Sequence, residues 1–145
     1  MPSLLENVAL RYYAIAGTVL AFHLIALALW TGAVRNKHKQ FVNPEDATLN
    51  KGQNTPADHP DVERVRRAHN NAIENAIPFF VVGALYVVTG ATATGALAYF
   101  GAFVGARLLH TLFYLAGRQP FRTLCFLVGV LAVIGMGVHV LRAAI

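Results

Sequence analysis

Three long stretches without a charged residue constrain this chain more than any other feature. They are the 23 residues between Arg11 and Arg35, the 32 between Glu74 and Arg107, and the 19 between Arg122 and Arg142. An α-helix rises about 1.5 Å per residue, so roughly 20 apolar residues cross the hydrocarbon core of a bilayer. The first and last stretches therefore each predict one membrane-spanning helix.

The middle stretch is long enough to contribute to two helices. A run of small, turn-prone residues at 89–95, TGATATG, divides it. The helix after this turn needs Arg107 within it to reach spanning length. The sequence thus predicts an all-α integral membrane protein, a left-handed, up-down four-helix bundle formed by a single domain over residues 1–145. The predicted spans are residues 8–34, 62–89, 95–117 and 121–143.

Composition agrees with a membrane protein and excludes other classes. Of the 145 residues, 56% are hydrophobic and 13% charged, whereas charged residues make up about a quarter of a soluble domain. The net charge is +5, but the basic residues do not form the long runs typical of nucleic-acid-binding tails, so no nucleic acid partner is expected. Cys125 is the sole cysteine, which leaves no internal disulfide or cysteine-based metal site, and no metal ligand is predicted.

Residues 36–61 form the one long polar connection, which contains three prolines. Basic residues flank this connection and the one before the fourth span, while the connection between the second and third spans has none. Because cytoplasmic loops carry the excess of Lys and Arg, both basic connections are predicted to face the cytoplasm. Loop 36–61 is then cytoplasmic and both termini lie on the opposite side, in a bacterial inner membrane or the endoplasmic reticulum.

Polar side chains at membrane depth are the candidate functional residues, because an ionisable group there is costly unless it faces the bundle interior, water or a partner. At helical spacing, which gathers them on one face, the second span carries Arg67, Asn70, Asn71 and Glu74, and the third carries Arg107, His110, Thr111 and Tyr114. Arg122 and Thr123 open the fourth span. Cationic, amide and hydroxyl groups at one depth suit a flexible anionic ligand that bears carboxylates.

Structural interpretations of the same side chains are open at this point. Glu74 with either Arg107 or Arg67 is, on these grounds, equally well an ion pair that ties helices together. His23, alone in the middle of the first span, is predicted to make an interhelical hydrogen bond rather than to bind a metal ion.

The segment VERVRRAHNNAIENAIPF at 62–79 resembles the signature segment of the MAPEG family, the membrane-associated proteins of eicosanoid and glutathione metabolism. Two further blocks agree in order, FVNPEDA at 41–47 and VGARLLHTLFYL at 104–115 followed by QPFRTLCFLVG at 119–129. The resemblance covers nearly the whole chain. It implies a four-helix bundle that assembles as a homotrimer, with glutathione bound between neighbouring subunits near the cytoplasmic face.

Carried over residue by residue, the resemblance implies glutathione contacts from all four spans. These contacts fall on Arg35, Arg67, Asn70, Asn71, Glu74, Arg107, His110, Tyr114 and Arg122. The glutathione thiol has an unperturbed pKa of about 8.5, so the reactive thiolate is scarce near neutral pH. We predict that Arg122 lowers this pKa by its charge and that the Thr123 hydroxyl assists. The thiolate then conjugates a hydrophobic electrophile that arrives from the membrane lipid, or reduces a lipid hydroperoxide.

Departures from the family pattern favour its general transferase branch. Phe126 stands where the prostaglandin and leukotriene branches have a tyrosine, and Asn70 stands where the prostaglandin branch has an arginine. Two alternatives are kept. One is a glutathione-dependent isomerisation of a lipid peroxide, as in the prostaglandin branch. The other is a non-catalytic membrane scaffold in which Glu74 and Arg107 are only structural.

Overall fold

A computed structural model describes residues 6–145, which form four long α-helices and a small folded loop. In chain order the elements are α1 (Val8–His38), β1 (Gln40–Phe41), α2 (Pro44–Leu49), β2 (Gln53–Asn54), α3 (Pro60–Val88), α4 (Ala93–Leu115) and α5 (Gln119–Ala144). The helices α1, α3, α4 and α5 are each long and apolar enough to cross a membrane. The prediction of an all-α membrane helical bundle is confirmed.

The long helices differ from the predicted ranges only near their ends. The largest difference is in α1, which continues to His38 instead of ending at residue 34. Its last turn carries the basic residues Arg35, Lys37 and His38, which interact favourably with the negative end of the helix dipole. The helix therefore continues beyond the apolar stretch, whose end had predicted the last helical residue.

Local sequence explains where α3 and α4 begin. Pro60 is the first residue of α3, a position that suits its fixed φ, and the preceding His59 accepts the Asp61 backbone N–H at its Nδ1 over 3.2 Å. Before α4, the Thr92 hydroxyl oxygen accepts the Gly95 backbone N–H over 3.1 Å. The connections from α3 to α4 and from α4 to α5 are short, which makes these successive helices antiparallel, so loop 36–61 and the α4–α5 connection lie at the same end of the bundle.

The connection between α1 and α3 is folded, although the sequence predicted only a polar loop. β1 pairs in parallel with β2, with Gln40 opposite Gln53 and Phe41 opposite Asn54. The Phe41 side chain is buried, and α2 lies between the two strands in sequence. Elements of two and six residues are too short for hydrophobic periodicity to reveal.

The four long helices pack so that α1 and α5 occupy opposite corners. Both pack against α3 and α4, and in the described residues no Cα atom of α1 lies within 8 Å of one of α5. Phe79, Phe100 and Phe103 are almost fully buried in the half of the bundle remote from loop 36–61, and the rings of Phe79 and Phe103 stack at 4.4 Å. We call this half the aromatic half. The polar residues at membrane depth concentrate in the other half.

His23 joins α1 to α4. Its Nε2 lies 3.1 Å from the Thr111 hydroxyl oxygen, within hydrogen-bond distance. The prediction that His23 makes an interhelical hydrogen bond is confirmed.

Candidate functional site

A cleft of about 230 Å³ opens between α3, α4 and α5 in the half of the bundle nearer loop 36–61. It is lined by Asn71 from α3, by His110 and Tyr114 from α4, and by Arg122, Thr123 and Phe126 from α5. Five of the residues singled out in the sequence thus share one cavity. Phe126, which the sequence flagged only as a departure from other branches of the family, forms part of its wall.

Arg122 is positioned over the cleft by an aromatic ring. Its guanidinium carbon lies 4.7 Å from the centre of the Tyr114 ring, a distance typical of a cation–π contact. Arg122 is the fourth residue of α5, whose first turn has no side-chain capping hydrogen bond. Free N–H groups and the positive end of the helix dipole attract anions to such a helix start. A negatively charged ligand atom at this point is therefore stabilised by the guanidinium, by the helix and by the Thr123 hydroxyl.

Arg107 lies beside the cleft with unused hydrogen-bond donors. It is only 3% exposed, and its guanidinium carbon is 5.9 Å from the Phe103 ring centre and 5.6 Å from that of Phe126. Its Nη2 donates a long hydrogen bond of 3.4 Å to the Cys125 carbonyl oxygen. Its Nε and Nη1 are buried and have no partner among residues 6–145. Because buried, unpaired cationic donors are costly, the arrangement favours an anionic ligand that accepts from them.

Arg67, Asn70 and Glu74 do not line the cleft. They lie on the outward side of α3, where Asn70 and Glu74 are exposed and the Arg67 side chain is 57% exposed. We call these three residues the outer stripe. Arg67 lies 3.6 Å from Glu63, and within the described chain Glu74 pairs with neither Arg67 nor Arg107. Neither structural ion pair left open by the sequence is therefore present in this protomer.

Arg35 is held at the junction of α1 and α3 by Asp58, apart from the cleft. The Arg35 Nε and Nη2 donate to the two Asp58 carboxylate oxygens over 2.9 Å each, and Arg66 Nη1 donates to Oδ2 over 2.8 Å. The Asp58 side chain is 1% exposed. The hydrogen bond from Arg35, followed by that from Arg66, lowers the pKa of Asp58 below its usual value. Sequence reasoning missed Asp58 because no periodicity links it to Arg35.

Replacing Asp58 by asparagine is expected to lower the free energy of unfolding at neutral pH by about 1–3 kcal/mol, because charge-assisted hydrogen bonds to two arginines are weakened. The folded pKa of Asp58 is lowered. Its stabilisation is therefore fully present above the unfolded pKa of about 3.9 and is lost as pH falls through the folded value. Thermal unfolding in detergent, followed from neutral pH to about pH 2, measures both effects.

The matched control is Glu45→Gln, which removes an exposed acid from the same loop. It should leave stability at neutral pH nearly unchanged. If Asp58→Asn loses stability in acid as steeply as the wild type does, the carboxylate of Asp58 is not the group that titrates.

The bundle and its cationic cleft define a class of protein, a multi-pass α-helical membrane protein with a polar binding site near one end of its spans. Residues 13–142 match the model of the MAPEG family, and the chain belongs to that family. It is an integral, multi-pass membrane protein.

Individual relatives agree with this assignment along the whole chain. The chain is 38% identical to microsomal glutathione S-transferase 1 of Rattus norvegicus over 148 residues, which cover 99% of this chain and 96% of the relative. It is 34% identical to the protein of that name from Homo sapiens, with the same coverage. It is 33% identical to prostaglandin E synthase of Homo sapiens over 141 residues, which cover 97% of this chain and 93% of that protein.

Proposed function

We propose that this chain is a membrane-bound glutathione transferase that ionises the thiol of glutathione and transfers its sulfur to hydrophobic electrophiles. The observation that carries the proposal is the cleft in which Arg122 and Thr123, at the uncapped start of α5, face the polar side chains of α3 and α4. The relatives named microsomal glutathione S-transferase 1 support the same reaction class.

Arg122 and Thr123 are the proposed catalytic residues. A guanidinium and a helix start next to the sulfur stabilise the thiolate over the thiol, and the Thr123 hydroxyl donates a hydrogen bond to it. The thiolate attacks the electrophilic carbon, a carbon–sulfur bond forms, and the leaving group departs with the bonding pair. In a peroxidase reaction the thiolate attacks the terminal oxygen of a lipid hydroperoxide, the O–O bond breaks and the lipid leaves as an alcohol, and a second glutathione converts the resulting sulfenic acid into glutathione disulfide and water.

The other predicted contacts hold the glutathione peptide. Arg107 offers its free Nε and Nη1 to a carboxylate, and Asn71, His110 and Tyr114 supply neutral hydrogen bonds. Arg35 is engaged with Asp58 through Nε and Nη2 and lies apart from the cleft of its own chain, so its proposed contact is through Nη1 to glutathione bound between this chain and a neighbouring subunit.

The outer stripe supports assembly as a homotrimer with glutathione between subunits. Exposed Asn70, Arg67 and Glu74 would otherwise face lipid, where ionisable groups are costly. A neighbouring copy covers them, while Glu74 binds the γ-glutamyl ammonium group and Arg67 a carboxylate of the ligand. Native mass spectrometry of the detergent-solubilised protein counts the subunits, and a monomer at activity-supporting concentrations would contradict this part of the proposal.

An apolar substrate reaches the sulfur from the bilayer, between α1 of one subunit and α5 of the next. The packing is compatible with this route, because α1 and α5 lie at opposite corners of one protomer and could form a common path only with a helix of a neighbouring copy. Phe121, Leu124 and Leu131 on α5 are exposed apolar side chains that suit such a path. The proposed orientation places loop 36–61 in the cytoplasm, in a bacterial inner membrane or the endoplasmic reticulum.

Calorimetry with glutathione and an assay with a chlorinated nitrobenzene test the function directly. The transferase requires both saturable glutathione binding and formation of the thioether conjugate. Absence of glutathione binding would leave the scaffold alternative. Binding without conjugation, together with isomerisation of a lipid peroxide, would favour the activity named for the prostaglandin E synthase relatives.

Gly129 makes room for Arg107, and filling that space is expected to weaken glutathione binding. A Cβ at position 129 would lie 3.1 Å from Arg107 Nε and 3.4 Å from its Cζ. Gly129→Ala therefore displaces the guanidinium, at an overpacking cost of about 1–3 kcal/mol. Calorimetry should show a dissociation constant for glutathione raised by about tenfold, which corresponds to about 1.4 kcal/mol.

Gly137→Ala is the matched control on the same helix. Its Cβ would lie 3.9 Å from Val82, an ordinary contact. Alanine also has the higher helix propensity, by about 1 kcal/mol. This variant should keep wild-type affinity, and equal affinities in both variants would mean that Gly129 does not position Arg107.

A further inference from the structure

Two histidines and an aspartate meet where α1 ends and α3 begins, outside the cleft. His38 lies in the last turn of α1, His59 caps α3 and Asp61 lies in its first turn. Each offers one ligand atom, and the three atoms lie within 4.8 Å of one another. We propose that His38, His59 and Asp61 form a binding site for a divalent transition metal ion, Zn²⁺ in the first instance.

The distances suit a small tetrahedral ion. His38 Nε2 lies 3.0 Å from Asp61 Oδ2, and His59 Nδ1 lies 3.7 Å from the same oxygen. Bonds of about 2.0–2.2 Å from Zn²⁺ to nitrogen and oxygen place tetrahedral ligand atoms about 3.4 Å apart, between these two values. Both distances to Asp61 are thus compatible with one ion, and the two histidine nitrogens lie within 4.8 Å of each other.

The His38 ring provides an independent observation. Its Nε2 is buried, and despite the short distance to Asp61 it makes no hydrogen bond of acceptable geometry with any of residues 6–145. The rings of His38 and His59 stack with their centres 3.6 Å apart and their planes 13° apart, so one ring must turn out of the stack before both nitrogens point at a single ion. A buried nitrogen without a partner next to a carboxylate oxygen is what a metal ion would satisfy.

The donor set selects the kind of ion. Two imidazoles and one carboxylate suit Zn²⁺ and its transition-metal neighbours, whereas Mg²⁺ and Ca²⁺ prefer oxygen ligands alone. The Asp61 side chain is 59% exposed, so the ion has a path from water and a water molecule completes its coordination. His59 Nδ1 accepts the Asp61 N–H without the ion, and a bound ion exchanges that bond for a metal–nitrogen bond.

The proposed metal site would join the end of α1 to the start of α3, the same junction that the Asp58 ion pairs connect. His38 follows Arg35 by about one helical turn, and His59 follows Asp58 directly. An ion that binds the folded protein but not the separated segments stabilises the fold by mass action. Sequence reasoning missed the triad because folding of loop 36–61 brings its two histidines together from distant positions.

Zn²⁺ titration of the full chain tests the site. The protein is purified with a tag that contains no histidine, treated with a chelator, and titrated by calorimetry in detergent without glutathione. One Zn²⁺ per chain is expected. Loss of an outer-shell partner alone costs about 10- to 100-fold in metal affinity, so His38→Gln and Asp61→Asn should each lower the affinity by about 100-fold or more. His69→Gln, a histidine elsewhere on α3, should leave it unchanged.

Co²⁺ provides a second measurement, because its visible absorption bands report coordination geometry. The bands should appear in the wild type and be lost in Asp61→Asn, which removes a ligand oxygen from a side chain that is 59% exposed and nearly isosteric with its replacement. Absence of saturable Zn²⁺ binding in the wild type, or binding that Asp61→Asn does not weaken, overturns the site. Because glutathione is absent from both measurements, this outcome is independent of the proposed transferase function.

Discussion

Replacing Arg122 by alanine is expected to remove most of the conjugating activity, with kcat/KM lowered by about 100-fold or more. The magnitude follows from the loss of one preorganised group that stabilises developing negative charge, which typically costs about 10²–10³ in rate. The variant lacks the cation that lies over Tyr114 at the start of α5. Steady-state kinetics with a chlorinated nitrobenzene measures the loss. The ultraviolet absorbance of the bound thiolate, followed against pH, should show the thiol pKa moving back toward about 8.5.

Two further substitutions separate charge from position. Arg122→Lys keeps the positive charge but loses the planar guanidinium and its paired N–H donors. Its activity is therefore expected to lie between that of the wild type and that of Arg122→Ala. Arg118→Ala removes a nearby exposed cation that does not line the cleft, and its turnover should match the wild type. Unchanged turnover in Arg122→Ala would reject the catalytic role of this residue.

Replacing Arg107 by methionine is expected to move stability and binding in opposite directions. Arg107 is buried with two unused donors, and an apolar side chain of similar length in place of a buried charge is often neutral or stabilising by about 1–4 kcal/mol. Thermal unfolding of the ligand-free variant should thus occur at the same or a higher temperature. Calorimetry should show glutathione affinity lowered by about 100-fold, because a carboxylate loses its charged partner.

Arg142→Met is the control for this substitution. Arg142 lies exposed in the last turn of α5, so its replacement should lower the unfolding temperature only slightly, through the lost interaction with the helix dipole, and leave glutathione affinity unchanged. An Arg107→Met variant that unfolds more easily and binds glutathione normally would show that the guanidinium serves the fold alone.

The spans could be predicted from the sequence because crossing a bilayer imposes a length and an apolar composition. Helical spacing likewise predicted that His110 and Tyr114 share a face, and both line the cleft with Arg122. Helical spacing does not reveal which neighbouring helix a given face of a helix contacts. Asn70 and Asn71 are adjacent in sequence, yet Asn71 lines the cleft while Asn70 lies outside it.

The remaining features depend on contacts between distant segments. Asp58 binds Arg35 across 23 positions, and Gly129 on α5 accommodates the guanidinium of Arg107 on α4. Neither Asp58 nor Gly129 is marked in the sequence by local composition or by helical spacing from its partner. Each acquires its role only when loop 36–61 has folded and two helices have packed.

The position of the aromatic half bears on how the sequence of such a protein can evolve. None of its three buried rings lines the proposed glutathione cleft, although the centre of the Phe103 ring lies 5.9 Å from the Arg107 guanidinium carbon. If the cleft is the site of reaction, as proposed, many substitutions of its lining residues are expected to alter which molecules are modified while leaving the packing of these rings in place. A scaffold with this separation can acquire new chemical specificities one residue at a time while each intermediate variant still folds.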